Sequence, residues 1–120
     1  MPILGVGTDI IETHRIKRML EGNKRFADRV FTSAELEYSL PKRSRYANLA
    51  ARFAVKEAVA KAFGRSFSWK DVEMVNGQDG KPVVNLYGRA REVAGSAKVH
   101  VSVSHTKNYA SAVAVVEVDE

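Results

Sequence analysis

Cysteine is absent from the 120-residue chain, which excludes disulfides, a thiol nucleophile and Cys-ligated zinc or iron–sulfur centres. Stability must come from packing, and a reducing compartment suits such a chain. Long apolar runs are missing as well. The longest clearly apolar stretch, Ala112 to Val116, is far below the ~18 residues that a membrane span needs. The opening Met1-Pro2-Ile3-Leu4-Gly5-Val6-Gly7 has neither the basic flank nor the long apolar segment of a secretory signal. No internal repeat, low-complexity tract or linker is present, and there is no P-loop or GxGxxG motif. The expectation is a soluble, cytoplasmic protein of one domain over residues 1–120, long enough to bury a true core.

What the chain does have is charge. Nineteen Lys and Arg stand against fourteen Asp and Glu, a net +5. That excess points to an acidic partner: a nucleic acid, a phosphate-bearing ligand or an acidic protein.

The apolar patterning predicts an α+β fold. Ile3 to Ile10 reads as a strand with Leu4, Val6, Thr8 and Ile10 on one face and Gly5, Gly7 and Asp9 on the other. Two glycines on one face mark the close approach of another backbone or a ligand, so Asp9 ends a face stripped of side chains. Thr13 is placed to N-cap a first helix, ended or interrupted at Gly22-Asn23. Thr32-Ser33-Ala34-Glu35 has capping-box spacing for a short helix stopped by Pro41. The strongest helix signal runs from Arg45 to Phe63, with Gly64 following as its C′ residue. Further on come a hairpin (Val72–Asn76 and Val83–Tyr87), a short helix (Arg89–Ala97) and two strands (Lys98–His105 and Ala110–Val118). The strands are expected to complete an antiparallel sheet beside the long helix.

Several residues carry possible chemistry. On the long helix Phe53, Glu57, Lys61 and Gly64 share one stripe ending at the C-terminus. The plain reading of Glu57 is a surface pair with Lys61. The sharper one gives Glu57 a metal ion and Lys61 a direct charge on a phosphate, with Asp9 as second metal ligand. Two carboxylates with positions left for water and phosphate suit Mg²⁺. Asp9 alone is equally readable as a turn or capping group. Ser104 and His105 are adjacent on a strand and point to opposite faces, which argues against a Ser–His catalytic pair. His105-Thr106-Lys107 at the strand end is readable as an anion-binding corner or an ordinary turn. The first helical region is basic, with Arg15, Lys17, Arg18, Lys24, Arg25 and Arg29. Arg15, Arg18, Arg25 and Arg29 would share one face beside Met19 if the helix ran through Gly22. That face is either simply solvated or a dock for an acidic helical protein.

Taken together, five segments resemble the holo-acyl-carrier-protein synthase family of phosphopantetheinyl transferases. They are Gly5 to Glu12 with Arg15-Ile16, Arg29 to Glu35, Ala51 to Ala58 followed by Lys61 to Gly64, Gly80-Lys81-Pro82, and His100 to Thr106. Their order and intervals match over essentially the whole chain. The resemblance implies the transferase fold and transfer of 4′-phosphopantetheine from coenzyme A to a serine of apo-acyl carrier protein, releasing adenosine 3′,5′-bisphosphate. It implies that Asp9 and Glu57 hold Mg²⁺ on the CoA pyrophosphate, and that Asp9, Glu57 and Lys61 form the catalytic set. It also implies that Arg52, Phe53, Lys61, Gly64, Ser104, His105 and Thr106 lie along the CoA site. Arg15, Met19, Arg25 and Arg29 would dock the acidic carrier protein, and the assembly would be a homotrimer with sites at subunit interfaces. The serine nucleophile comes from the carrier, which explains the lack of one here; Glu57 or a metal-bound water would take its proton. Gly22 departs from the pattern, standing where the family often has another basic residue. Two other classes fit the charge alone: a small basic nucleic-acid-binding module, though no nucleic-acid motif is present, and a noncatalytic CoA-binding scaffold. The family reading expects neither nucleic acid nor membrane as a partner.

Overall fold

The structure, a computed structural model, describes residues 2–119. Strand β1 (Ile3–Glu12) runs without a break into helix α1 (Thr13–Gly22), followed by the short helices α2 (Phe26–Val30) and α3 (Ser33–Ser39). The long helix α4 (Arg45–Phe63) comes next, then a 3₁₀ turn (Trp69–Asp71) and the strands β2 (Val72–Asn76) and β3 (Pro82–Leu86). Helix α5 (Gly88–Ala94), β4 (Lys98–His105) and β5 (Tyr109–Glu117) complete the chain.

The strands make two antiparallel sheets rather than one. Strand β5 lies between β1 and β4, while β2 and β3 pair only with each other. The expected antiparallel sheet beside the long helix is the three-stranded one, in which β1, from the far end of the chain, takes the place beside β5. Helix α4 lies across one face of the three-stranded sheet, and the residues there are small. Gly7 pairs with Ala114 and Asp9 with Ala112, while Val101 and Val103 on β4 face the same way. Ala54, Ala58 and Ala62 of α4 are buried, as are Ala110, Ala112 and Ala114 of β5.

That face works because two side chains are missing. A Cβ on Gly5 would sit 1.9 Å from the Ala62 carbonyl oxygen, and one on Gly7 would sit 1.9 Å from that of Ala58. Backbone thus packs on backbone along one helical turn, from Ala58 to Ala62. Two of the larger residues of β1 point the other way: Val6 is 59% and Ile10 67% exposed on the outer face.

The capping box at Thr32 is present. The Thr32 hydroxyl accepts from the Glu35 N–H, and Glu35 Oε1 accepts from the Thr32 N–H. Helix α4 ends as expected, with Gly64 at φ 68° and the Arg65 and Gly64 N–H groups donating to the carbonyls of Ala60 and Lys61. Thr13 is not a cap. The extended backbone of β1 reaches Glu12, which occupies that position without a side-chain bond. The Thr13 N–H instead donates to the Asn108 carbonyl at 2.8 Å. Nor does the basic helix continue through Gly22: Asn23 Oδ1 accepts from the Arg25 N–H at 2.9 Å, and the chain turns before α2.

Glu73, nearly buried on β2, ties the hairpin to α3. Its carboxylate accepts hydrogen bonds from the Thr32 hydroxyl, Asn85 Nδ2 and the Tyr87 hydroxyl. Burial alone would raise its pKa, but these three donors outweigh burial and hold it below the usual range, while Tyr87 is pushed up by the same bond. A depressed carboxylate stabilises the fold fully above its unfolded pKa near 4.5 and loses that contribution as pH falls through its lower folded value.

Two predictions follow from these contacts. Gly7→Ala should cost about 3 kcal/mol or more by forcing β1 off α4, whereas Gly22→Ala, with open space around its Cβ, should not lower the melting temperature. Thermal unfolding of both variants checks this. Urea unfolding across pH 6 to 3 should show Glu73→Gln less stable than wild type at pH 6, with a shallower loss toward acid; parallel curves would contradict the assignment.

Candidate active site

The approach of β1 to α4 determines where Asp9 falls. Two residues beyond Gly7 on the same strand face, Asp9 comes within reach of the long Lys61 side chain. Lys61 Nζ donates to the Thr8 carbonyl at 3.0 Å and lies 3.5 Å from Asp9 Oδ1. The lysine side chain is 57% exposed and that of Asp9 17%, so the pair stands at the rim of the packed face with its ammonium open to solvent.

The plain Glu57–Lys61 pair does not form, because Lys61 is spent on β1. Glu57, half-buried one helical turn earlier, makes no side-chain hydrogen bond or ion pair among the described residues. Its carboxylate is therefore free to take a cation from solvent. Around it lie three concavities. One, of about 470 Å³, runs along Lys61, Gly64, Arg65 and Ser66. A second, about 220 Å³, lies between α4 and the 66–72 segment. The third, about 410 Å³, is enclosed by Arg15, Met19, Phe26, Arg29, Phe53 and Trp69. Lys61 also borders a cavity of about 490 Å³ with Asp9, Ser102 and Ser104. Lys61 and Glu57 thus form a ridge shared by separate concave surfaces.

The donor set fits a hard cation. Asp9 and Glu57 flank Lys61, and no cluster of three or more His, Asp or Glu suited to a metal occurs among the described residues. An ion held by two carboxylates would complete its coordination with oxygens of water and substrate, which is how Mg²⁺ is commonly bound.

Other expected residues divide. Phe53 lines the third cavity, its ring stacked on Trp69 at a centroid distance of 4.9 Å. Gly64 lines the first, and Ser104 the cavity beside Asp9. His105 and Thr106 stand exposed at the β4–β5 turn, where the Thr106 hydroxyl accepts from the Asn108 and Tyr109 N–H groups. Arg52 does not reach these surfaces. It is 2% exposed, donates to Asn76 Oδ1 at 2.8 Å and lies over the Tyr38 ring; burial lowers its pKa despite the neighbouring Glu35. Arg15, Met19 and Arg29 surround the third cavity, but Arg25 does not, because the break at Gly22-Asn23 separates it from the α1 face.

Sequence reasoning missed Arg65, Ser66 and Trp69. Arg65 and Ser66 follow the C′ glycine, a position that the left-handed turn presents beside the helix end. Trp69 is the only tryptophan, and it sits between that turn and the hairpin; nothing in the local pattern marks it as a wall of the site.

The chain resembles known proteins over nearly its whole length. The family described as the 4′-phosphopantetheinyl transferase superfamily matches residues 5–114. A holo-[acyl-carrier-protein] synthase of Moorella thermoacetica is 46% identical over 121 residues, covering 96% of this chain and 94% of that protein. The synthase of Clostridium novyi is 42% identical over 123 residues, covering 98% and 89%. Among solved structures, a holo-(acyl-carrier-protein) synthase from Bacillus anthracis in complex with CoA (3′,5′-ADP) superposes with a TM-score of 0.83 at 36% identity, covering 98% of each chain. By sequence and by fold, this chain belongs to the 4′-phosphopantetheinyl transferase superfamily.

Proposed function

We propose that the chain is a holo-acyl-carrier-protein synthase that moves the 4′-phosphopantetheine of CoA onto a serine of apo-acyl carrier protein. The observation that carries this is the Lys61–Asp9 contact beside a half-buried, unpaired Glu57, set among concavities large enough for an extended ligand. In the reaction the carrier's serine oxygen bonds to the pantetheine-bearing phosphorus. The bond from that phosphorus to the bridging pyrophosphate oxygen breaks, and its electron pair leaves with adenosine 3′,5′-bisphosphate. The serine proton passes to a basic oxygen at the site, for which Glu57 is the chain's own candidate. Such transfer depends on positioning and charge neutralisation rather than on a protein nucleophile.

Asp9 and Glu57 would hold Mg²⁺. When bound, the ion would neutralise the pyrophosphate and stabilise charge gathering on the leaving bisphosphate. Lys61, anchored on the Thr8 carbonyl, keeps a fixed positive charge at the same place. Phe53, Gly64, Ser104, His105 and Thr106 would line the path of CoA; Arg52, buried against Asn76, stands outside it. Arg15, Met19, Arg25 and Arg29 would receive the acidic carrier, and the arginine rim of an apolar cavity supports this for Arg15, Met19 and Arg29. The outer sheet face with exposed Val6 and Ile10 supports a homotrimer, and the whole of residues 1–120 would form the single transferase domain. The enzyme would be cytoplasmic, with neither membrane nor nucleic acid as a partner; no helix among the described residues is long and apolar enough to cross a membrane.

Incubating the protein with apo-acyl carrier protein, CoA and Mg²⁺ should raise the carrier's intact mass by one phosphopantetheine, and EDTA should prevent it. A carrier of unchanged mass would contradict the proposal. Glu57→Ala should abolish transfer while circular dichroism shows the helices intact, since Ala suits an α-helix; a fully active variant would remove Glu57 from the metal site. Arg15→Ala should raise KM for the carrier by about tenfold with little change in KM for CoA, as expected for a docking charge.

A further inference from the structure

One charged pair on the inner side of the 220 Å³ cavity is almost fully buried and has no part in the chemistry described above. Lys56, next to Glu57 on α4, has a side chain 1% exposed, and its partner Glu35 is 0% exposed. The Lys56 ammonium donates to Glu35 Oε1 at 2.8 Å, to the Trp69 carbonyl at 3.0 Å and to the Val72 carbonyl, which uses all three of its hydrogens. Glu35 is equally committed: Oε1 also accepts from the Thr32 N–H, and Oε2 accepts from the Met74 N–H. Burial lowers the lysine pKa and Glu35 works against that.

Two of the three acceptors are backbone groups of the segment that faces Glu57. That segment, from Ser66 to Val72, forms the far wall of the 220 Å³ cavity whose near wall is Lys56, Glu57 and Ala60. It has few other ties to α4: the Trp69 ring stacks on Phe53 at 4.9 Å, and Phe67 meets Phe63 edge-on at 5.8 Å. One ammonium therefore sets the spacing between the helical turn that carries Glu57 and the wall opposite it.

We propose that Lys56, held by Glu35, is a positioning residue for the transfer reaction: it fixes the Trp69 wall at the distance that Glu57 and its ligand require. The inference rests on the functional reading above, but its first readout does not. Trp69 is the only tryptophan, so its fluorescence reports on that wall alone.

The test compares wild type with the double variant Lys56→Met/Glu35→Gln, which removes both buried charges together and so avoids stranding one of them. With helix content retained, Trp69 should become more accessible to acrylamide. In the transfer assay kcat should fall by about tenfold, the size typical of lost support for a metal-site ligand, with KM for CoA within about twofold of wild type. Wild-type quenching and wild-type kcat in the folded double variant would overturn the proposal, because a merely structural pair would leave both unmoved. Should that variant fail to fold, Lys56→Arg serves in its place. It keeps the charge beside Glu35, but its planar fork cannot reproduce the compact three-way contact. The same shifts in smaller degree are expected, and their absence overturns the proposal. If wild type itself shows no transfer, the functional reading fails, while the quenching comparison still decides whether Lys56 fixes the wall.

Discussion

The contact between β1 and α4 at Gly5 and Gly7 is the constraint on which the rest of the structure depends. A strand and a helix normally meet through side chains, which keep their backbones well apart. Here the helix carbonyls of Ala58 and Ala62 occupy the space where β1 would carry its Cβ atoms, and the alanines of α4 and β5 keep the remainder of the face equally thin. Asp9 and Lys61 meet because of this. With larger residues at positions 5 and 7 the strand would stand off the helix, and the Asp9 carboxylate would move out of reach of the ammonium 3.5 Å away. The packing that builds the core also builds the rim of the candidate site.

Charges are distributed in two distinct ways on that framework. At the surface Lys61 turns to the strand and leaves Glu57, on its own helix, open to a cation. In the interior the neighbouring Lys56 is wholly neutralised by Glu35 and two carbonyls. Adjacent positions on one helix thus play opposite parts, since the α-helical turn points Lys56 toward α3 and β2 and Glu57 toward the concavities.

Much of this was readable in the sequence, for specific reasons. Long helix α4 is marked by its alanine content and its C′ glycine, and its limits, Arg45 and Phe63, are those observed. The glycine face of β1 identified a close backbone approach and placed Asp9 at its end. The capping box at Thr32 needs only local spacing, and it formed. The misreadings have a common origin in long-range pairing. Thr13 looks like a cap only when one does not know that β1 continues to Glu12, held there by its pairing with Tyr109. That the hairpin pairs only with itself, and that β1 lies beside β5, are likewise long-range facts. The Lys56–Glu35 pair, 21 residues apart, and the burial of Arg52 against Asn76 leave no periodic trace, because charged residues on an otherwise apolar helix read as surface.

The central claim is that β1 and α4 together form one cation site beside Lys61. A crystal structure of the protein with CoA and Mg²⁺ tests it most directly. The account predicts a single ion with one oxygen of Asp9 and one of Glu57 each about 2.1 Å away, and the CoA pyrophosphate completing its coordination next to the Lys61 ammonium. An ion bound by only one of these carboxylates, or a pyrophosphate seated away from Lys61, would contradict it.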